Sequence, residues 1–156
     1  MTKAKVLGLA VGTGAVKAPI HREARESIQL VEGKGIVDDK TFGRSAYRHV
    51  NLLCARSYAW FEANFGRKRA LPGGMGEQVV LSDEIDAAWL NLGDRLKIGS
   101  AVLEVVTPRT PCESFTSAVE GGKVSHFVGH VGVMCRVVGS GEIKTGDSAE
   151  VIPAAR

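Results

Sequence analysis

Three of the 156 residues are cysteines, and one stands in a context suited to chemistry. Cys112 closes the stretch Thr107-Pro108-Arg109-Thr110-Pro111-Cys112, directly after a Val-rich run. Its two prolines each fix φ and stiffen the segment. A stiff loop at a strand end holds a side chain in one place, as a nucleophile or metal ligand requires. Arg109, three residues earlier, brings positive potential that lowers a thiol pKa and favours the thiolate. The competing reading is a small buried hydrophobe, the common fate of a free cysteine. Cys54, at a strand-to-helix junction, and Cys135, inside an apolar strand, read as core.

Gly73-Gly74-Met75-Gly76-Glu77 is the second feature. Glycine-rich loops let backbone N–H groups approach an oxyanion closely. This one lacks the GK[ST] ending of a phosphate-binding loop, and no helix follows it. Gly12-Thr13-Gly14, with Lys17 behind it, likewise falls short of a nucleotide fingerprint. His126 and His130 have the i, i+4 spacing of helical metal ligands, but Gly129 and Gly132 argue against a helix there. On a strand, residues four apart lie about 13 Å apart along the chain, too far for one ion. Both histidines therefore read as structural or solvent-facing, and His21 and His49 have no evident partner.

An odd, sparse cysteine count with no CxxC pair gives neither a disulfide framework nor a structural zinc site. Reduced thiols in the cytoplasm are the expectation. Lys plus Arg is 20 against 17 for Asp plus Glu, a net charge of +3. Only Arg67-Lys68-Arg69 forms a basic run, which reads as a solvated loop or a local anion site, so no nucleic-acid partner is expected. No stretch reaches the roughly 18 apolar residues of a membrane span. The N-terminal stretch reads as a first strand, not a signal peptide. No membrane association is expected.

The length suits one domain over residues 1–156. Such a chain exposes about 24,000 Å² unfolded and about 7,600 Å² folded, enough for a real core. Short apolar runs at 6–11, 27–31, 47–53, 78–81, 95–98, 101–106, 127–138 and 149–152 read as strands separated by Gly, Asp or Pro turns. Gly99-Ser100 suits a tight hairpin. Gly93-Asp94 and Gly146-Asp147 repeat one turn chemistry ahead of two strands. Tyr58, Phe61 and Phe65 recur at helical spacing before Gly66, predicting one main helix over about 55–65. Residues 83–90 suit a shorter helix. The expectation is a mostly β (α+β) fold, a small barrel with one main helix and short additional helices.

In family order, Gly35-Ile36-Val37, Asp39, Arg48 and Val50 to Leu53 are followed by Gly76-Glu77-Gln78 and Leu92 to Gly99. Val102 to Val105, Pro108 to Cys112, Gly132-Val133, Arg136-Val137, Gly141, Ile143 and Gly146-Asp147 complete the set. Together they resemble the MOSC domain, named for the C-terminal domain of molybdenum cofactor sulfurase. The chain departs from that pattern at four places. Asp38 replaces a glycine, Thr41 stands where histidine is common, Gln78 replaces asparagine, and His130 stands where arginine is frequent.

The resemblance implies a small β-barrel with Cys112 at the rim of a cleft. It implies two competing roles for that thiol. In one, Cys112 is the catalytic residue and thiolate ligand to molybdenum, in a protein that reduces small N-hydroxylated or N-oxygenated compounds. Lys17, Arg48, Arg109 and Gly76-Glu77-Gln78 would then bind the anionic molybdenum cofactor (molybdopterin), with electrons from a separate reductase. In the other, Cys112 carries a sulfane sulfur as a persulfide, received from a separate cysteine desulfurase of the pyridoxal-phosphate type. A third reading is a non-catalytic module for an anion or pterin.

Overall fold

The computed structural model describes residues 2–14, 20–110, 115–116, 119 and 123–155. Alternation of apolar and polar residues shapes its strands. In β7 (Arg95–Ile98) the even-numbered side chains are buried and the odd ones exposed, and β8 (Ala101–Pro108) continues the pattern with Ala101, Leu103 and Val105 inward. The two pair antiparallel across the Gly99-Ser100 turn, with Ile98 opposite Ala101. A period of two with one apolar face is what a half-buried strand needs.

Seven strands close into a barrel. β1 (Lys3–Val11) pairs with β11 (Ser148–Ile152), β11 with β7, β7 with β8, and β8 with β9 (Val133–Gly139). β9 pairs with β5 (Val50–Cys54), β5 with β6 (Val79–Leu81), and β6 returns to β1. Only the β5–β6 pair is parallel. β2 (Glu23–Arg25) extends the sheet beside the end of β1. A separate antiparallel sheet joins β3 (Ser27–Val31) to β10 (Gly141–Lys144) and to β4 (Gly35–Ile36).

The parallel pair is buried on both faces, as its unbroken apolar sequences Val79-Val80-Leu81 and Leu52-Leu53-Cys54 require. Leu52, Cys54, Val79 and Leu81 face the barrel interior, while Leu53 and Val80 face a second core outside it. That outer core is roofed by α1 (Arg56–Phe65), which turns Ser57, Tyr58 and Phe61 inward and ends at Gly66 in the left-handed conformation. Phe127, the last residue of α2 (Val124–Phe127), sits among Phe61, Phe65, Phe115 and Trp60 at centroid distances of 5.2 to 6.4 Å. Ring pairs in offset or edge-on contact add to area burial.

Most expected elements are found, with three corrections. Residues 127–138 are not one strand, because Gly129 and Gly132 hold φ values of 85° and 83° that break extended backbone, and β9 starts at Val133. Residues 83–90 form only a single 3-10 turn (Ala87–Trp89), with Asp86 accepting the Ala88 N–H. β5 begins at Val50, since Tyr47 and Arg48 lie in a turn whose N–H groups bond to the Ser45 hydroxyl. β2 and β4 carry no apolar alternation that marks them in the sequence.

Candidate functional site

β8 ends at Pro108, and Arg109 follows it, three residues before Cys112 in the sequence. The Arg109 N–H donates to the carbonyl of Gly132 at 3.1 Å, which fixes where its side chain leaves the barrel. The guanidinium lies 5.0 Å from the Phe115 ring centroid, a cation–π distance. It also rests on the Gly76 backbone. A Cβ at position 76 would fall 2.7 Å from Arg109 Nη2, and Gly76 holds φ 80°, a conformation that calls for glycine.

Glu77 organises that loop from beneath. Its side chain is fully buried. The carboxylate accepts hydrogen bonds from the Tyr58 hydroxyl, from Gly73 N–H at 3.0 Å and from Met75 N–H at 3.1 Å. Burial, reinforced by the Glu77 charge, pushes the Tyr58 phenol well above its ordinary pKa, so it stays a donor. Arg69 Nε donates to the Gly74 carbonyl at 2.8 Å, and Arg67 Nη2 to the Val119 carbonyl at 2.9 Å. Two members of the basic run thus brace loops.

Gln78 joins the loop to a second one. Its Oε1 accepts from Asn51 N–H at 2.7 Å, and its Nε2 donates to Asp39 Oδ2 at 3.3 Å. Asp39 Oδ2 also accepts from Gly12 N–H at 2.9 Å, while Oδ1 accepts from the Thr41 N–H and hydroxyl. Burial works against the Asp39 charge, but these hydrogen bonds outweigh it and hold the carboxyl below its usual range. Gly12 and the Gly73–Gly76 loop are thereby tied to one polar network.

Two cations absent from the sequence expectations converge here. A Cβ at Gly12 would lie 2.9 Å from Arg22 Nη1 and 3.4 Å from Lys40 Cε, and a Cβ at Gly73 would lie 2.6 Å from Arg22 Cβ. Arg22 therefore lies against both glycine loops. Its Nε is buried with no hydrogen-bond partner among the described residues, and so is Asn51 Oδ1, whose own Nδ2 reaches the Gly76 carbonyl at 3.4 Å. No sequence motif marks Arg22, Lys40 or Asn51. The signal is the close approach to glycine, which only the fold reveals.

Of the expected site residues, Gly76, Glu77, Gln78 and Arg109 come together. Arg48 is exposed on the turn before β5, and no hydrogen bond or ion pair joins its side chain to the Gly76 loop among the described residues. Lys17 and Cys112 lie outside the described residues. The other two thiols are core, as expected. Cys54 donates to the Ile85 carbonyl and is pushed up to about 11 by burial, and Cys135 is pushed up to about 12 by burial. His49 proves to be buried and bonded at both ring nitrogens. Nδ1 accepts from Val137 N–H, which leaves Nε2 to donate to the Ser45 carbonyl. His126 Nδ1 accepts from Lys123 N–H, and His130 stacks on Trp60 with centroids 4.1 Å apart. That stack borders a cleft of about 300 Å³ lined also by Cys54, Ser57 and Gly132. Among the described residues there is no cluster of three or more His, Cys, Asp or Glu suited to a metal, and no helix long and apolar enough to cross a membrane.

The seven-stranded barrel with one main helix is the small mostly-β architecture that the resemblance implies. Residues 39–150 match the MOSC domain, and the chain belongs to that family, whose members are associated with molybdenum cofactor binding and sulfur carriage. The fold is shared with solved structures of low identity. The YuaD protein of Bacillus subtilis superposes with a TM-score of 0.78 at 24% identity, covering 96% of this chain and 95% of that one. YiiM from Escherichia coli gives 0.73 at 18%, covering 99% and 72%. YiiM from Geobacillus stearothermophilus gives 0.66 at 18%, covering 96% and 73%. No curated protein matches this chain.

Proposed function

We propose that this chain binds the molybdenum cofactor beside the Gly76 loop, with the Cys112 thiolate as ligand to molybdenum, and reduces small N-hydroxylated or N-oxygenated compounds. The observation that carries the reading is Arg22, packed against both glycine loops with its Nε buried and unbonded among the described residues. A buried unbonded guanidinium nitrogen is costly unless an acceptor meets it, and an anion is the acceptor that a guanidinium pairs with most strongly. A phosphate-bearing pterin fits that requirement, and the buried Asn51 Oδ1 is an acceptor for a heterocyclic N–H.

The chain's own residues then divide the work. Arg22 and Lys40 bind the anion at Gly12, with Lys17 and Arg48 as further cations. Gly12 and Gly76 allow the backbone to come close. Arg109, three residues before Cys112 in the sequence, brings positive charge that favours its thiolate. Glu77, Tyr58 and Arg69 hold the loop still, so the site is ordered before the ligand arrives. When bound, the cofactor supplies two-electron chemistry at a metal suited to a soft thiolate. Two electrons and two protons convert an N–OH group to N–H and water, the electrons coming from a separate reductase. Reduced thiols suit a cytoplasmic setting.

Elemental analysis for molybdenum with pterin fluorescence tests this on protein from a cofactor-proficient host. Near-stoichiometric molybdenum is expected in the wild type, with almost none in Cys112→Ala and at least a tenfold loss in Arg22→Gln. No molybdenum in any of the three overturns the reading. A persulfide mass on Cys112 after incubation with a cysteine desulfurase and cysteine would then favour sulfur carriage. Pterin bound equally by Cys112→Ala would favour the non-catalytic module.

A further inference from the structure

Asp38 and Asp39 adjoin in sequence, and their carboxylates serve different places. Asp39 is committed to Gly12, Thr41 and Gln78. Asp38 lines a separate cleft of about 230 Å³ and forms no hydrogen bond or ion pair among the described residues. It is also the only described residue other than glycine with a positive φ, at 71°. A side chain in the left-handed region is disfavoured and is retained where it serves a purpose. The carboxylate has no bond to the local backbone that would justify the conformation.

The cleft lies where the end of β1 meets β3 and the turn after β4. Val11, Ile28 and Val37 supply apolar lining, and Arg25, Ser27 and Gln29 the remaining polar groups. Arg25 engages Glu23 and the Ala24 carbonyl through Nη1 alone, at 3.2 and 3.3 Å, which leaves Nε and Nη2 as donors. Gln29 donates its Nε2 to Glu142 at 2.7 Å and keeps its Oε1 as an acceptor. The volume is below the roughly 300–1,000 Å³ of sites for drug-sized ligands, so the occupant is small.

We propose that this cleft is a binding site for a small zwitterion of the free amino acid type, its ammonium on Asp38 and its carboxylate on Arg25. A carboxylate and a guanidinium lining one small cleft complement a molecule that carries both charges. Arg25 is ion-paired to Glu23 through Nη1 and offers Nε and Nη2 to a second carboxylate, while a plain anion would meet the repulsion of Asp38. The Ser27 hydroxyl and the Gln29 carbonyl oxygen add hydrogen bonds, and the aliphatic lining suits a short side chain. This site is independent of the molybdenum reading and requires no cofactor.

Titration calorimetry on the full, cofactor-free chain tests it with L-serine, ethanolamine and glycolate, which carry both charges, the ammonium alone and the carboxylate alone. L-serine is expected to bind at least tenfold more tightly than either single-charge compound. Asp38→Asn and Arg25→Gln are each expected to weaken it at least tenfold. Asp38→Gly is expected to do the same in a protein that melts no lower than the wild type, so the loss is not a folding defect. No binding of L-serine at millimolar concentration, ethanolamine or glycolate binding as tightly as L-serine, or undiminished L-serine affinity in Asp38→Asn, would each overturn the proposal.

Discussion

The Arg109 guanidinium occupies the space that a side chain at position 76 would take, with Nη2 2.7 Å from the point where a Cβ would stand. The end of β8 and the loop before β6 thus meet closely there, and any side chain at position 76 would have to push the tip of Arg109 aside. Gly76→Ala must displace Arg109 and also strain a backbone held at φ 80°. A loss of about 1–3 kcal/mol is expected from the positive φ and the clash together. Gly146→Ala is the control, because Gly146 has φ 92° but open space around its Cβ position. Urea unfolding of both separates strain from clash, and only Gly76→Ala is expected to lose molybdenum as well.

Glu77 and Tyr58 form a buried pair whose partners are the loop amides. Glu77→Ala leaves Gly73 N–H without its acceptor and Met75 N–H with only the Tyr58 hydroxyl at 3.3 Å, and is expected to cost about 2–4 kcal/mol. Tyr58→Phe removes one donor and costs about 1–2 kcal/mol. Because the two share a hydrogen bond, a double-mutant cycle by urea denaturation is expected to show coupling of at least about 0.5 kcal/mol. Strict additivity would refute the network.

How much of this was legible beforehand varies with the physics. The β7–β8 hairpin was readable, because alternation and the Gly99-Ser100 turn are local signals. The Gly76–Gln78 stretch could be singled out by its residues, but not the inward turn of Glu77, because that depends on Tyr58 nineteen positions away. Arg22 and Lys40 were invisible for the same reason, since their link to Gly12 is a close approach across the fold. Residues 127–138 misled because Phe127, Val128 and Val131 look like a strand, while Phe127 and Val131 are buried in the outer aromatic core and Val128 is exposed.

Asp39 predicts an acid limb in the stability curve. Its folded pKa lies below the unfolded value of about 3.9, so the deprotonated form is the one that folding favours. The associated stability is fully present above pH of about 4 and is lost as pH falls through the folded value. Urea midpoints measured from pH 7 down to pH 2.5 are expected to fall more steeply below pH 4 in the wild type than in Asp39→Asn. Asp39→Asn itself should be less stable at pH 7 by about 1–3 kcal/mol, because the Gly12 and Thr41 donors lose a charged acceptor. Parallel acid limbs in the two proteins would remove Asp39 from the account.

Cys54 and Cys135 predict the outcome of thiol labelling. Both are buried with pKa values raised to about 11 and 12, so neither presents thiolate near neutrality. With iodoacetamide at pH 8, mass spectrometry of tryptic peptides is expected to find neither residue modified in the native state and both modified in denaturant. Any fast native labelling should disappear in Cys112→Ala. Modification of Cys54 in the native protein would mean that the lining of the Trp60 cleft opens to solvent.

Asp38→Gly is expected to stabilise the fold. Glycine adopts φ 71° without the steric cost that an aspartate bears, and it gives up only a carboxylate with no hydrogen-bond or ion-pair partner among the described residues. Against this stands the greater freedom of glycine in the unfolded chain, which reduces the gain. The balance is about 0.5–1 kcal/mol, which for a chain of this length raises Tm by about 1–3 °C. Calorimetric melting of Asp38→Gly beside Asp38→Ala separates the terms, since alanine lacks the carboxylate yet keeps the strain. Asp38→Ala is expected to melt close to the wild type and below Asp38→Gly. If both variants melted below the wild type by similar amounts, the carboxylate itself would be stabilising the turn, and its place would be in the fold and not in the cleft.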